Sequence, residues 1–165
     1  MKSNRAMITL LLSLLFLGLM AGLFYSWSVS VMPGITKLND IQFLSAMQAM
    51  NRAILNPLFL IPFIGTVFLL PFATWQQASQ PAFYYLLAAS VLYIAGVFGV
   101  TITGNVPLND SLDKFNLVNA TAEALAAQRR LFETPWVNLH TIRTICGILA
   151  FACGLIGLYQ AAANK

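Results

Sequence analysis

Charged side chains are scarce in this chain, and one long stretch has none. Asp, Glu, Lys and Arg make up 8% of the 165 residues and hydrophobic residues 59%, whereas a soluble domain has about 25% charged residues. Between Ala53 and Asn109, 57 consecutive residues carry no charge. This composition excludes an ordinary soluble domain. The few basic residues are scattered, with a net charge of +4, so nucleic acid is not a predicted partner.

Cysteine and histidine are also scarce. The chain has two cysteines, Cys146 and Cys153, and one histidine, His140. On one helix the two cysteines would lie ~10.5 Å apart along the axis, too far for a disulfide with each other. Without a CxxC motif or a Cys/His cluster, the sequence offers no ligand set for zinc or an iron–sulfur centre. We therefore predict a protein that uses no metal and no cofactor.

The apolar segments predict four helices that span a lipid bilayer. A bilayer core is ~30 Å thick and a helix rises ~1.5 Å per residue, so one span needs ~20 apolar residues. The spans must be helical because an unpaired backbone group in hydrocarbon costs several kcal/mol. We place them at about residues 7–31, 56–75, 83–103 and 136–159. The predicted fold class is all-α, a four-transmembrane-helix bundle forming a single membrane domain over residues 1–165.

The connections after the first and third spans contain all five acidic residues, and each is predicted to form a short amphipathic helix. In the first connection, Asn39 and Gln42 fit a capping box for a helix from Asp40 to about Arg52. In the second, Val106-Pro107 predicts an extended start, and Asn119 is the predicted N-cap of a helix. With four spans, both connections lie on the same side of the membrane.

The basic residues around the first span predict the orientation. Lys2 and Arg5 favour an N-terminus inside the cell, so we predict a multi-pass protein of the inner (plasma) membrane with both termini cytoplasmic. Basic residues of the connections count against this orientation: Lys37, Lys114, Arg129 and Arg130. A cleaved signal peptide is the alternative for the first span, but the charge-free stretch is longer than the ~7–15 residues of a signal peptide core.

Small residues recur at helical spacing on three spans. In lipid, such residues let helices approach closely and gain van der Waals contact. Packing inside the bundle is the first interpretation, and a homo-oligomer formed through these helix faces is the alternative. The stripes are Gly18, Gly22 and Ser26; Ala95, Gly99 and Thr103; and Ala150, Gly154 and Gly157.

Polar residues of the second and fourth spans form the candidate site. Trp136, His140 and Arg143 share one face of the fourth helix, and Arg52 begins the second span from the same side. An arginine in hydrocarbon costs at least a few kcal/mol unless it is paired. Because no span contains an acid, the arginines need acids of the connections, carbonyl groups, lipid phosphates or an anionic ligand. Other candidates nearby are Asn51, Asn56, Asn105, Asn109, Tyr25 and Trp27.

Four blocks of the sequence resemble the anthrone oxygenase-like family: Ser28–Pro33, Ala46–Pro57, Asn105–Asn109 and Trp136–Thr144. This family consists of small four-helix integral membrane proteins, and its bacterial branch, which the chain resembles, is grouped as a domain of unknown function. His140 stands where the family commonly has Asn. The resemblance implies the chemistry of the fungal members, which oxidise anthrones to anthraquinones with molecular oxygen, without metal or flavin.

Two functional hypotheses follow. The first is a cofactor-independent oxygenase for an apolar aromatic or enolisable substrate, in which His140 would act as general base and Arg143 and Arg52 would hold the oxyanion. Asn51, Asn56, Asn105 and Asn109 would orient polar edges, and Tyr25, Trp27 and Trp136 would flank the ring. The second is a non-enzymatic membrane protein that binds a lipid, an anionic ligand or a partner protein through Arg52 and Arg143. A cavity shared by these side chains favours the enzyme, and arginines saturated by acids favour the binding protein.

Overall fold

A computed structural model describes residues 2–163 of the chain, with side chains from Asn4 to Ala163. The side chain of Lys2, used in the orientation prediction, lies outside the described residues, as do positions 1, 164 and 165 of the predicted domain. Helix α1 begins as Lys2–Ser26, continues through the π-helical segment Trp27–Val31 and ends as Met32–Ile35. Helix α2 is Asp40–Ala53, α3 is Pro57–Gln76, α4 is Ala82–Asp113 and α5 is Ala122–Ala163.

Four of these helices are long and apolar enough to cross a membrane, which confirms the predicted fold class. The candidate spans differ in length: that of α3 has 20 residues, those of α1 (Asn4–Ile35) and α4 have 32 each, and that of α5 has 42. At ~1.5 Å per residue, α3 matches a ~30 Å bilayer core, whereas α5 is about twice as long. The bundle therefore extends beyond the bilayer on the side where α2 lies.

Two local predictions for the connection after the third span are wrong. Val106 is helical, with φ −61° and ψ −50°, and the segment Val106–Asp113 continues α4. The π-helical segment Thr101–Asn105 precedes Pro107, and its i→i+5 bonding shifts the carbonyl that the proline ring would otherwise meet. The last helix is capped by Thr121, whose Oγ1 accepts a hydrogen bond from the Ala124 amide at 3.3 Å, and not by Asn119. Both residue types are good N-caps, so sequence alone did not separate them.

The buried apolar side chains form two clusters. The membrane core lies between the spanning helices and contains Leu10, Leu14, Leu17, Met20, Phe24, Phe63, Leu70, Ala73, Ala82, Leu86, Ala89, Tyr93, Val97, Ala150 and Ala161. The headpiece core lies under α2 and contains Met32, Phe43, Leu44, Met47, Leu112, Leu125, Phe132 and Trp136. Helix α2 contributes three of these and begins at the predicted cap, where Asn39 Oδ1 accepts a hydrogen bond from the Gln42 amide at 3.0 Å.

Several of the small residues pack inside the bundle. Gly18 packs closely against the ring of Phe151, and Gly154 against the side chain of Leu14, so a larger residue at either position would displace its neighbour. At Gly22, no atom of the described residues lies within 4 Å of the position that a Cβ would take. These contacts account for close helix packing within one chain, and a homo-oligomer through the small-residue faces stays a prediction.

Candidate functional site

A cavity of about 230 Å³ lies where the membrane core meets the headpiece core. All five helices contribute to its wall, and the wall is predominantly apolar and aromatic. The lining residues are Leu23, Phe24, Trp27, Met50, Asn51, Arg52, Ile54, Leu55, Phe59, Leu60, Phe63, Thr101, Ile102, Val106, Asn109, Asp110, Asp113, Trp136 and Arg143. Among the described residues, no group of three His, Cys, Asp or Glu side chains is placed to hold a metal ion.

Arg143 is the buried charge of this cavity. Its side chain is held by two aromatic faces, with the guanidinium carbon 4.7 Å from the ring centre of Phe24 and 5.1 Å from that of Trp136. Its Nε donates a hydrogen bond to Nδ1 of His140 at 3.0 Å. The residue as a whole is 8% exposed. Cation–π contacts and one hydrogen bond to a neutral ring thus fix the guanidinium in place.

No carboxylate of the described residues neutralises Arg143. Within the described part of the chain, the salt bridges involve only Arg52 and Arg129. The two terminal nitrogens of Arg143 make no recorded hydrogen bond to the described residues, although the side chain lines the cavity. A guanidinium has five N–H donors and cannot lose its charge in a protein. The donors that remain are therefore available to an anion, or to a partly negative oxygen, inside the cavity.

His140 lies behind Arg143 and is not among the residues that line the cavity. Its ring stacks on Trp136, with centres 5.0 Å apart and planes at 16°. Because Arg143 Nε can only donate, Nδ1 of His140 accepts and carries no proton. Its Nε2 lies 3.0 Å from Ser28 Oγ and is the protonated nitrogen of this tautomer. Both ring nitrogens are thus engaged within the protein, and this geometry fits a positioning residue better than a general base.

Ser28 completes the network around His140. Its Oγ donates to the carbonyl of Phe24 at 3.1 Å and lies 3.2 Å from Oγ1 of Thr144. Thr144 in turn donates to the carbonyl of His140 at 2.8 Å. Sequence reasoning did not assign Ser28 a role, although it lies in the Ser28–Pro33 block. The chain of hydrogen bonds ties α1 to α5 and fixes the ring that holds Arg143.

Arg52 lies on the rim of the same cavity but, unlike Arg143, is exposed and paired with an acid. Its Nε donates to Asp113 Oδ1 at 2.5 Å, and the two side chains are 64% and 47% exposed. The ion pair joins the end of α2 to the end of α4. Arg52 and Arg143 thus line one cavity, as the oxygenase hypothesis requires, but Arg52 is paired with an acid of a connection, as the binding hypothesis requires.

The four candidate asparagines divide into two that line the cavity and two that do not. Asn51 lines it, and its Nδ2 is buried without a hydrogen-bond partner among the described residues. Asn109 also lines it and accepts a hydrogen bond from Trp136 Nε1 at 2.9 Å. Asn105 is buried beside the wall and donates to the Trp136 carbonyl at 3.3 Å. Asn56 caps α3, where its Oδ1 accepts a hydrogen bond from the Phe59 amide at 3.2 Å.

Two of the three candidate aromatic residues face the cavity. Trp27 and Trp136 line it with ring centres 5.7 Å apart, whereas Tyr25 is 55% exposed on the outer surface of α1. The apolar wall residues that sequence reasoning missed include Phe24, Phe59 and Phe63. Their identity carried no signal, because a phenylalanine in a membrane span has the same sequence pattern whether it packs against a helix or lines a cavity.

The comparisons with known proteins identify one family. The family model described as Anthrone oxygenase matches residues 43–153, more than half of the chain, from α2 into α5. A search of curated proteins and a search of solved structures found no match. Helix α1, which supplies Phe24 and Trp27 to the cavity, lies outside the matched range. The matched range includes Arg52 and Arg143, and the chain belongs to the anthrone oxygenase family.

Proposed function

We propose that this protein is a cofactor-independent oxygenase of the membrane, acting on a planar, apolar and enolisable ring compound of the anthrone type. The observation that carries the proposal is Arg143, a buried guanidinium that has no acidic partner among the described residues and lines an aromatic cavity. Family membership supports the reaction class, and the site itself supports the ligand class.

The proposed reaction balances with molecular oxygen as the only co-reactant. The methylene carbon of an anthrone loses two hydrogens and gains one oxygen atom as a carbonyl. The second oxygen atom leaves as water with those two hydrogens. The substrate first loses a proton to form an enolate, which then gives electrons to oxygen. The protein has to bind the ring, stabilise the enolate oxygen and remove the proton.

Arg143 is the proposed group that stabilises the enolate oxygen. A fixed cation in a water-poor site stabilises a developing negative charge more strongly than water does. Trp27 and Trp136, whose own ring centres are 5.7 Å apart in the cavity wall, would contact the flat ring system of the substrate. Asn51, whose Nδ2 has no partner among the described residues, would donate to a second oxygen on the ring. Removing one such donor from an oxyanion site costs ~10²–10³ in rate.

The proton acceptor is the role for which sequence reasoning and geometry differ. His140 has both ring nitrogens hydrogen-bonded inside the protein and does not line the cavity. Asp110 lines the cavity on α4, is exposed, and has no salt bridge to any described residue. We therefore assign proton acceptance to Asp110 and a positioning role to His140. An Asp110→Asn variant should lose deuterium exchange at the substrate methylene under nitrogen, a step that needs no oxygen.

The alternative function is binding without turnover. In this alternative, the protein binds a lipid, an anionic small molecule or a partner protein through Arg52 and Arg143. Arg52 is exposed and its charge is balanced by Asp113, so Arg143 is the one of the two arginines without an acidic partner among the described residues. The binding alternative therefore reduces to a small ligand in the cavity. It predicts the same ligand chemistry as the oxygenase and differs in the absence of product.

The test is anthrone oxidation by the full chain in lipid nanodiscs. We expect anthraquinone to form above the spontaneous rate, with one oxygen molecule consumed per product, and the added rate to disappear in an Arg143→Gln variant. Native mass spectrometry of the gently purified protein would show a bound aromatic molecule. Binding without added anthraquinone would favour the alternative, and neither binding nor product would end both proposals.

We also propose that the cavity faces the outer side of the inner (plasma) membrane. The proposal rests on the basic N-terminus, which favours cytoplasmic termini. The connection between α4 and α5 then lies outside, and the turn between α3 and α4 lies inside. A membrane-impermeant maleimide should label Val118→Cys, which is 90% exposed, in intact cells. The matched variant Ser79→Cys should stay unlabelled until the membrane is opened, and the reverse pattern would invert the topology.

A further inference from the structure

The mouth of the cavity lies close to the membrane boundary. Helix α3 contains 20 residues, so its first residue, Pro57, lies ~30 Å from the turn that joins it to α4. Ile102 follows Ala82, the first residue of α4, by 20 residues, so the rise of the helix places it at about the same height as Pro57. Because ~30 Å is the thickness of the bilayer core, both residues mark its edge.

Exposed lining residues show that the mouth has an apolar side and a polar side. On the apolar side, Leu55 is 68% exposed and Ile102 is 46% exposed. On the polar side, the Arg52–Asp113 ion pair connects α2 with α4. The apolar side faces hydrocarbon at the height of Ile102, and the polar side faces water and lipid headgroups.

Helices α3 and α4 separate at this height. Helix α3 packs against α4 along Ala82–Val91 and Leu92–Gly99. The later part of α4, Thr101–Asn105 and Val106–Asp113, packs against α5, and Val106–Asp113 also packs against α2. The gap left between the start of α3 and the end of α4 is where Leu55 and Ile102 line the cavity.

The size of the cavity indicates that a ligand is only partly enclosed. A pocket that encloses a drug-sized ligand has ~300–1,000 Å³, and this cavity has about 230 Å³. Arg143, Phe24 and Trp136 surround its inner end with one cation and two aromatic faces. The polar head of a larger molecule fits that end, and the remainder has to extend through the mouth.

We propose that the ligand enters sideways from the bilayer, through the gap between Leu55 and Ile102. The ligand class is a lipophilic planar phenol or enol, whose acidic oxygen reaches Arg143 while an apolar chain stays in the gap against lipid. Entry from water would require an apolar molecule to pass the Arg52–Asp113 pair and disturb two hydrated charges. The ligand class rests on the proposed function, whereas the entry route concerns binding alone.

Chain length separates the two routes in the wild-type protein. The full chain in phosphatidylcholine liposomes is mixed with 1-hydroxyanthraquinone carrying a hexyl or a dodecyl chain, both at the same mole fraction in the bilayer. Each added CH₂ lowers the aqueous concentration about fourfold, so six lower it more than ~10³-fold. Lateral entry predicts equal binding rates for the two probes, measured by the probe's own fluorescence. A rate that falls with the aqueous concentration would overturn the proposal, and so would no binding of either probe.

Variants of the mouth give a second test. A Leu55→Trp/Ile102→Trp double variant should slow probe entry by about tenfold, an added barrier of about 1.4 kcal/mol. The control is Leu58→Trp, because Leu58 is 88% exposed and does not line the cavity. We expect the control to bind at the wild-type rate. The lateral route is contradicted if the probe enters the double variant at the wild-type rate. It is also contradicted if the control variant slows probe entry by the same factor.

The two proposals fail separately. If the hexyl and dodecyl probes bind at equal rates but anthrone is not oxidised, the lateral route stands and the oxygenase fails. If anthrone is oxidised but probe entry follows the aqueous concentration, the oxygenase stands and the lateral route fails.

Discussion

Two arginines of α5, Arg129 and Arg143, are both largely buried but have opposite surroundings. Arg129 lies in the headpiece and contacts two acids. Its hydrogen bonds are to Glu133 at 2.6 Å, to Asp40 at 3.0 Å, and to the carbonyls of Thr36 and Leu38 at 2.8 Å each. Arg143 has one recorded hydrogen bond, to neutral His140. Both guanidinium groups lie over an aromatic ring, at 4.4 Å from Phe43 and 4.7 Å from Phe24.

The difference indicates what each arginine does. Arg129 directs its donors to α2 and to the end of α1, so it ties the headpiece together and has little left for a ligand. Arg143 lines the cavity, and its guanidinium forms no salt bridge with the described residues. Since an unpaired charge in a water-poor site is costly, its retention there is better explained by a ligand than by stability.

The sharpest way to test this comparison is to remove the charge of Arg143. We expect Arg143→Gln to lower the rate of anthrone oxidation by ~10²–10³, because the oxyanion loses its cation. The protein should stay folded, since no acid is left unpaired. The assay is anthraquinone formation in nanodiscs, with Arg130→Gln, an exposed position on the same helix, as the control. Wild-type activity in Arg143→Gln would remove the arginine from the site.

The matching change in the headpiece should affect stability instead. Arg129→Gln should lower the free energy of unfolding by about 2 kcal/mol, because hydrogen bonds to charged groups contribute ~1.5–3 kcal/mol and the acids are partly solvated. Denaturant unfolding in detergent measures the change. Binding of the hydroxyanthraquinone probe to the folded protein should not change. If Arg129→Gln lost probe binding while keeping its stability, the two arginines would have exchanged roles.

Variants of His140 test whether this residue positions Arg143 or acts as a general base. The amide oxygen of Asn can accept the Nε–H of Arg143. We therefore expect His140→Asn to keep activity within about tenfold of wild type, the effect of ~1.4 kcal/mol. His140→Ala should lose more, because Arg143 Nε is then left unpaired. Equal and complete loss in both variants would instead support the general-base role predicted from sequence.

The smallest effect is expected at the rim. The Arg52–Asp113 pair is exposed, and exposed ion pairs contribute ~0–1 kcal/mol. Arg52→Gln should therefore change stability by less than ~1 kcal/mol and leave the spectrum of the bound probe unchanged. Thermal unfolding and probe titration measure the two quantities. A large loss of probe affinity would show that Arg52 binds the ligand directly, in contrast to its paired state in the structure.

Sequence patterns predicted the parts of the site that depend on one helix. Trp136, His140 and Arg143 are on one face of α5 because their spacing follows the helical repeat, and Asn39 caps α2 as the capping motif indicates. Patterns failed where two residue types are interchangeable or where the helix is irregular. Thr121 rather than Asn119 caps α5, and the π-helical segment Thr101–Asn105 allows Pro107 to continue α4.

The composition of the chain alone determined that it spans a membrane with four helices. Apolar stretches of ~20 residues cross a bilayer as helices, because a helix satisfies its own backbone groups where hydrocarbon cannot. Sequence blocks also determined the family. Only the tertiary structure decided which arginine has an acid. Arg52 and Asp113 are far apart in the sequence and meet where α2 and α4 end, whereas the packing around Arg143 brings it His140, Phe24 and Trp136. Such partners depend on how helices pack, and a one-dimensional pattern does not contain that information.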